Sequence, residues 1–317
     1  MPSPLFLGSL ALLSLRVCAS QGQPAGPLYA RQIDQNDKHY YLGYRDSDYR
    51  TPWAKYFNDT QPVLSPELVS GLEESPYPGS LAVNITAASQ ALNSPGYLKL
   101  ENGYSFLPDG SLTLNIRSDV PSNVTGEMLD FWFSWHTNDT SKYKLWNPGA
   151  HQYAAIKPLS PGKSAQPVFA DRYWNVTSFV DEYIGLTPYK LSIGFFDPEL
   201  MGFSKTNENS GVLGMVSAFV SLLSYSEQDE PEEAKHGLTP LSAVLVHQLR
   251  AKPDGCGHEV RSRFWFGNLL VLGMSVAGGP KRLAHDLSVH CFNEMSHLGT
   301  FLPDLFNEFR HDVATGY

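Results

Sequence analysis

Near its C-terminus the chain runs Leu287-Ser-Val-His290-Cys-Phe-Asn-Glu294-Met-Ser-His297-Leu298-Gly-Thr-Phe301-Leu302. Drawn as a helix, Leu287, His290, Cys291, Glu294, Leu298, Phe301 and Leu305 fall at spacings of three and four and share one face. That face is the apolar one, so His290 and Glu294 point where a core should be. A carboxylate there is costly unless it is paired, protonated or metal-bound. A His and a Glu four residues apart can close on one ion from a single helix; the same pair also suits a salt bridge at a pocket edge. The spacing alone leaves both open. The Gly278-Gly-Pro280 breaker predicts where this helix begins, and Gly299 and Pro303 predict a bend or a separate last piece.

Upstream, from residue 97, the texture is that of strands. Tyr97-Leu-Lys-Leu, Gly103-Tyr-Ser-Phe-Leu and Ser111-Leu-Thr-Leu-Asn-Ile alternate, with Pro108-Asp-Gly110 as a hairpin turn. Met128-Leu-Asp-Phe-Trp-Phe-Ser-Trp-His136 is apolar and aromatic, which fits a buried strand or a buried helix. Residues 176–184 and 189–196 read as two more strands. Two further apolar segments, 211–223 and 241–249, are separated by an acidic, solvated loop at 227–233. Asp254-Gly-Cys-Gly257 then turns the chain into Glu259-Val-Arg-Ser-Arg-Phe-Trp-Phe266. Many antiparallel strands closed by one long helix make an α+β domain, and a curved sheet wrapped on a helix encloses a pocket. Residues 21–96 are turn-rich and form a small N-terminal region, with Ser65-Pro66-Glu67 opening a short helix.

The 317 residues are 42% hydrophobic and 12% aromatic, ample for a sizeable core. A net charge of -9 without any Lys/Arg stripe excludes a nucleic-acid partner. Residues 1–20 have the form of a signal peptide, although the n-region lacks Lys or Arg. The apolar run Pro4-Leu-Phe-Leu-Gly-Ser-Leu-Ala-Leu-Leu-Ser-Leu precedes the small residues of Val17-Cys18-Ala19-Ser20. Five sequons begin at Asn58, Asn84, Asn123, Asn138 and Asn175, and each permits a glycan in a secreted chain. No later apolar run reaches the roughly 18–20 residues of a membrane helix. The expectation is a secreted, extracellular glycoprotein with no membrane partner. Signal cleavage would leave Cys256 and Cys291, which the compartment allows to pair but which are too few for a thiolate zinc site.

Two upstream stretches offer partners for His290 and Glu294. One is Phe131-Trp-Phe-Ser-Trp-His136 with Lys142-Tyr-Lys-Leu-Trp-Asn-Pro-Gly-Ala-His151. The other is Phe179-Val-Asp-Glu182-Tyr-Ile-Gly185, where Glu182 lies among apolar residues. Two His and two carboxylates would suit zinc or a neighbouring divalent ion. A loop histidine and an edge-strand carboxylate are the plainer readings of His151 and Glu182.

These motifs, with Arg261-Ser-Arg-Phe-Trp-Phe-Gly267 and His290-Cys-Phe-Asn-Glu294, resemble the 2,4-diacetylphloroglucinol hydrolase/phloretin hydrolase family in order and separation. The likeness covers about 100–317 and is weaker in Tyr41-Leu-Gly-Tyr44 and Trp53-Ala-Lys-Tyr-Phe57. It implies a Bet v 1-like (START-type) helix-grip domain over 97–317, with a curved antiparallel sheet and a long C-terminal helix. The N-terminal region would then serve dimerisation, making a homodimer. It also implies Zn2+ held by His151, Glu182, His290 and Glu294, with Tyr143 positioning a phenolic ketone substrate. Gln152-Tyr-Ala154 follows His151 where the family carries a substrate-orienting Asn. The implied reaction is hydrolysis of the C–C bond between a phenolic ring and an acyl group by metal-activated water. Expelling a ring carbon needs a general acid, for which His136, Tyr143 and His247 are the candidates. His297 would stand outside the metal shell, and Arg261 and Arg263 suit either substrate oxygens or a strand-edge salt bridge. A non-catalytic container for a hydrophobic small molecule, or a metal-dependent enzyme of other chemistry, are the alternatives on this architecture.

Overall fold

The computed structural model describes residues 41–156, 166–222, 242–274 and 279–311. The signal segment and the acidic loop at 227–233 lie outside them. In chain order the elements are α1 (Pro66–Glu73), α2 (Ala88–Leu92), β1 (Gly103–Phe106), β2 (Leu112–Val120), α3 (Gly126–Trp135), α4 (Thr140–Lys144), β3 (His151–Ile156), α5 (Phe169–Tyr173), β4 (Thr177–Ile184), β5 (Thr187–Phe196), β6 (Val212–Leu222), β7 (Ser242–Ala251), β8 (His258–Phe266), α6 (Asn268–Met274) and α7 (Pro280–Phe309). The strands form one antiparallel sheet of order β1-β2-β8-β7-β6-β5-β4-β3. Helix α7 packs on β1 and β2 at one edge and on β4 near the other, so the sheet curls round it. This is the α+β helix-grip arrangement expected of a Bet v 1-like domain. Among the described residues no helix is long and apolar enough to cross a membrane.

Alternation along the strands sorts side chains to two faces. On β7 and β8, Leu245, His247, Phe264 and Phe266 turn to the concave side and line a cavity under α7. Val244, Val246 and Trp265 turn the other way and join Ala88 and Leu92 of α2 in a second, smaller core. In the described part of the N-terminal region, α1 gives Leu68 and Leu72 to the main core. Its N-terminus is as expected, with the Ser65 side chain accepting from the Leu68 N–H and Pro66 in the first turn.

One open alternative is settled and two local expectations change. The ambiguous aromatic run becomes helix α3, which Thr125 caps by accepting from the Met128 N–H. A Cβ on Gly126 would sit 2.0 Å from the Leu213 carbonyl oxygen, so only glycine allows this helix to start so close to β6. Residues 97–100 are not a strand, because the Glu101 carboxylate accepts from the Leu98 N–H and turns the backbone instead. Helix α7 does not split at Pro303 but continues to Phe309. An interior proline costs about 3 kcal/mol. Burial of Leu302, Leu305, Phe306 and Phe309 around it offsets that, at roughly 1.5–3 kcal/mol per side chain. Gly299 admits Val120 and Pro121 against the helix rather than bending it off. Cys256 is exposed, Cys291 is buried, and both are free.

Arg261 and Arg263 alternate with the cavity-lining residues of β8 and so face away from the cavity. Both reach Glu101: Arg261 Nη2 lies 2.7 Å from Oε1, and Arg263 Nη2 contacts Oε2. Burial would raise the Glu101 pKa, but the two guanidiniums outweigh it and bring it down to about 2. Removing this carboxylate strands two buried cations. Glu101→Gln is therefore expected to lose about 3–5 kcal/mol of stability at pH 7. A depressed carboxylate pKa gives stability that is present above about 4.5 and lost as pH falls through about 2. Urea melts of both proteins should accordingly converge between those pH values. Equal stability at pH 7 would show that the cluster contributes nothing.

Candidate functional site

Four residues from three elements meet at the sheet. His151 opens β3, Glu182 stands on β4, and His290 and Glu294 project from successive turns of α7. The register sets His151 directly across from Glu182, with a bulge between His151 and Tyr153. All four are buried, and one donor atom from each lies within 4.8 Å of every other. His151 Nε2 is 2.9 Å and His290 Nε2 3.2 Å from Glu294 Oε1. Glu182 stands farther off, 3.9 Å from His151 Nε2 and 3.8 Å from His290 Nε2. Fold and register thus bring together the whole ligand set implied by the resemblance.

Hydrogen bonds around the quartet fix which atoms face inward. His151 Nδ1 donates to the Tyr143 carbonyl at 2.9 Å, which turns Nε2 inward toward Glu294. The Tyr143 ring lies flat on the His151 ring, with centroids 3.6 Å apart, and its hydroxyl donates to Glu182 Oε2. Burial, and then the nearby Glu182, push the Tyr143 pKa well above that of a free phenol, so the hydroxyl stays protonated. Burial disfavours the charged form of His290, yet Glu294 and Glu182 outweigh it and lift its pKa to about 9. Burial would likewise raise the Glu294 pKa, and the two histidines instead hold it far below the usual range. The buried His290 Nε2 has no hydrogen bond of proper geometry, although it faces two carboxylates. A divalent cation would satisfy that atom and both carboxylates at once, and two imidazoles with two carboxylates are a donor set that suits zinc.

Glu182, His290 and Glu294 form part of the wall of a cavity of about 920 Å³, open mouth included, and His151 stands behind Glu294. Sequence reasoning placed His136 and His247 near the chemistry, and both line this cavity. His136 is the C-cap of α3; its Nδ1 donates to the Trp132 carbonyl at 2.7 Å, which leaves Nε2 bare. Burial lowers its pKa to about 3, and burial lowers that of His247 to about 4. Both rings are therefore neutral near pH 7. His247 is not the exposed residue its strand position allowed: it is buried, with Nδ1 2.7 Å from Ser262 Oγ. Phe133 lies between the two histidines, at ring centroid distances of 5.5 Å and 6.0 Å.

His297 stays outside the quartet; its Nδ1 donates to the Trp146 carbonyl at 3.0 Å. Sequence reasoning missed Phe133, which lines the cavity, and Ser262, the partner of His247. Ser262 could have been found from strand parity, since it alternates with Arg261 and Arg263 and must face the other way. Phe133 sits in an aromatic run with no signal separating the residue that faces the cavity from its neighbours.

The family described as DAPG hydrolase PhiG domain matches residues 84–307, a span that contains the whole quartet and its surroundings. The chain is 29% identical over 283 residues to 2,4-diacetylphloroglucinol hydrolase of Pseudomonas protegens, covering 83% of this chain and 86% of the relative. It is 23% identical over 278 residues to phloretin hydrolase of Eubacterium ramulus, covering 84% and 93%. Among solved structures it is similar to ginseng major latex-like protein 151 from Panax ginseng, at 14% identity and a TM-score of 0.34 over 60% of this chain and 99% of that one. It is also similar to Ara h 8.0201, at 11% identity and a TM-score of 0.27 over 57% and 98%. Matched by the family over most of its length, the chain belongs to the DAPG hydrolase PhiG-domain family.

Proposed function

We propose that this chain is a secreted, zinc-dependent hydrolase that cleaves the C–C bond between a phenolic, phloroglucinol-like ring and an acyl group. The observation that carries the reading is the buried His151–Glu182–His290–Glu294 quartet, with its unsatisfied His290 Nε2, beside a largely apolar cavity. A family whose named relatives hydrolyse 2,4-diacetylphloroglucinol and phloretin supports the substrate class. In the net reaction the acyl carbon gains a water oxygen and leaves as a carboxylic acid, while the ring carbon gains a proton.

A divalent ion held by the four residues supplies Lewis acidity and a water acidic enough to attack near neutral pH. The remaining steps fall to the chain's own groups. The apolar cavity walls exclude bulk water, which strengthens every polar contact within. Tyr143 keeps its proton, and once Glu182 engages a metal its hydroxyl would be free to turn from that carboxylate and donate to a substrate oxygen. His136, with Nε2 bare, accepts from a phenolic hydroxyl and fixes the ring in the cavity. Ser262 Oγ lies 2.7 Å from His247 Nδ1, and through this pair the neutral imidazole would pass to the ring carbon the proton that the attacking water gives up. On this assignment His136 orients the ring and His247 moves the proton.

Purified protein is expected to hold one zinc per chain. His290→Ala and Glu182→Ala should lose that metal and lower kcat/KM more than about hundredfold. Reloading the stripped wild type at pH 7 should release about one proton, because His290 must give up its own; calorimetry in two buffers measures this. Substrate turned over in 18O-labelled water should place 18O in the carboxylic acid. Full metal content in both variants, or label only in another product, would refute the proposal.

Tyr143→Phe, His136→Phe and His247→Phe are each expected to retain zinc and lose about hundredfold in kcat/KM. The His247 variant should slow deuterium delivery to the ring carbon in heavy water, and the His136 variant should raise KM. Unchanged kinetics in both histidine variants would put the ring elsewhere.

Secretion is supported by the form of residues 1–20 and by where the sequons stand. Asn58, Asn84, Asn123 and Asn175 are exposed, whereas Asn138 is half-buried with its Oδ1 enclosed. Chain produced in a eukaryotic secretory host should therefore begin near Gln21 and carry glycans at the four exposed sites. Intact-mass and glycopeptide analysis decides this; a retained residue 1–20 segment would overturn secretion.

A further inference from the structure

The cavity has two unlike ends. Near Glu294 the cavity offers His136 and His247, both within reach of the Glu294 charge. At the other end, one and two turns N-terminal to His290, α7 presents Leu287 and Leu283. Leu270 of α6, Phe266 of β8, Ala243 of β7 and Leu222 of β6 line the cavity with them, and Ser178 and Tyr189 are the polar residues of the adjoining sheet wall. Ala243 pairs directly across from Phe266, which places these two side by side at the end of the sheet. Leu283 stands seven residues before His290, so the apolar arm extends about 10 Å along the helix beyond the quartet. Leu222 is 43% exposed and marks where, among the described residues, the arm meets solvent.

We infer that the substrate carries a long, unbranched apolar acyl chain, and that this arm is its binding site. Resting on the reading of the site given above, the ring with its hydroxyls fits the polar end and the carbonyl meets the quartet. The acyl chain is then left only the apolar arm, pointing to the mouth. An acetyl group would stop beside His290 and leave water against Leu283, Leu287 and Phe266, which is unfavourable in proportion to the apolar area left wet. Each added methylene removes some of that area. The residues of the arm thus set specificity for the acyl group, while the quartet and the polar end set it for the ring.

The test is a series of acylphloroglucinols with acetyl, butyryl, hexanoyl and octanoyl groups, with binding of 4-alkylphenols of matching length as a readout independent of cleavage. Both kcat/KM and affinity should rise about two- to fourfold per methylene and level off once the chain reaches Leu222. Ala243→Phe fills the arm, and Leu283→Gln makes it polar without adding bulk. Each should lower the octanoyl-to-acetyl ratio of kcat/KM at least tenfold, with thermal melts confirming that the chain folds. A flat series, a preference for acetyl, or unchanged ratios in both folded variants would overturn the inference while leaving the hydrolase reading intact. Alkylphenol affinity that climbs with length while no aryl ketone is cleaved would sink the hydrolase reading and uphold the arm.

Discussion

Two carboxylates buried against two imidazoles are the constraint on which this structure turns. Taking Glu182 and Glu294 out of water costs several kcal/mol each unless opposite charge meets them. His151 and His290 answer only part of that: the quartet leaves one buried nitrogen without a hydrogen bond and two carboxylates crowded within 4.8 Å of the same imidazole atoms. Such a cluster opposes folding unless the surrounding elements over-determine it. The grip of the sheet on α7 does so, because Leu298, Leu302, Leu305 and Phe306 bury the C-terminal half of the helix and hold its polar turn in place.

The N-terminal residues take part in the same restraint. Lys144, the neighbour of Tyr143, is fully buried; its Nζ donates to the carbonyls of Tyr41 and Gly43 and lies over the Tyr41 ring. Burial brings its pKa down to about 6. The Gly43 N–H in turn donates to the Pro148 carbonyl. Residues 41–43 thus bracket the segment from α4 to β3 that carries both Tyr143 and His151. An edge strand whose first residue belongs to a polar cluster would otherwise be the part of the sheet freest to move.

Much of this was legible in the sequence, and the reasons differ by element. The α7 face could be read because helical spacing sets Leu287, His290, Glu294, Leu298 and Leu305 on one side whatever surrounds them. Glu182 was legible as a charge in an apolar strand. His151 was not, since β3 is short, follows a Pro-Gly turn and owes its position to pairing with β4, a contact between distant residues. The ambiguity of the aromatic run also had a physical source. A segment buried on nearly all sides shows no periodicity, and only the Thr125 cap and the close approach of Gly126 to Leu213 decide for a helix. Residues 97–100 alternate like a strand, but Glu101 is committed to two arginines about 160 positions away, and no local pattern records that.

The same non-local logic explains why the histidines gather near Glu294 while the wall along β6, β7 and β8 is apolar toward the mouth. Strand parity fixes that His247 faces inward and that Arg261 and Arg263 do not, so a cationic β8 borders the cavity without charging it. Between those arginines Ser262 faces the cavity side and meets His247 Nδ1, one of the few polar contacts there. Toward the mouth the inward positions are Leu, Phe and Ala, while α7 changes from Glu294 and His290 to Leu287 and Leu283. A single helix thus grades from polar to apolar along the cavity it covers. That gradient orients a molecule with one oxygenated end and one greasy end before any chemistry begins, and it does so with side chains that the fold must bury in any case.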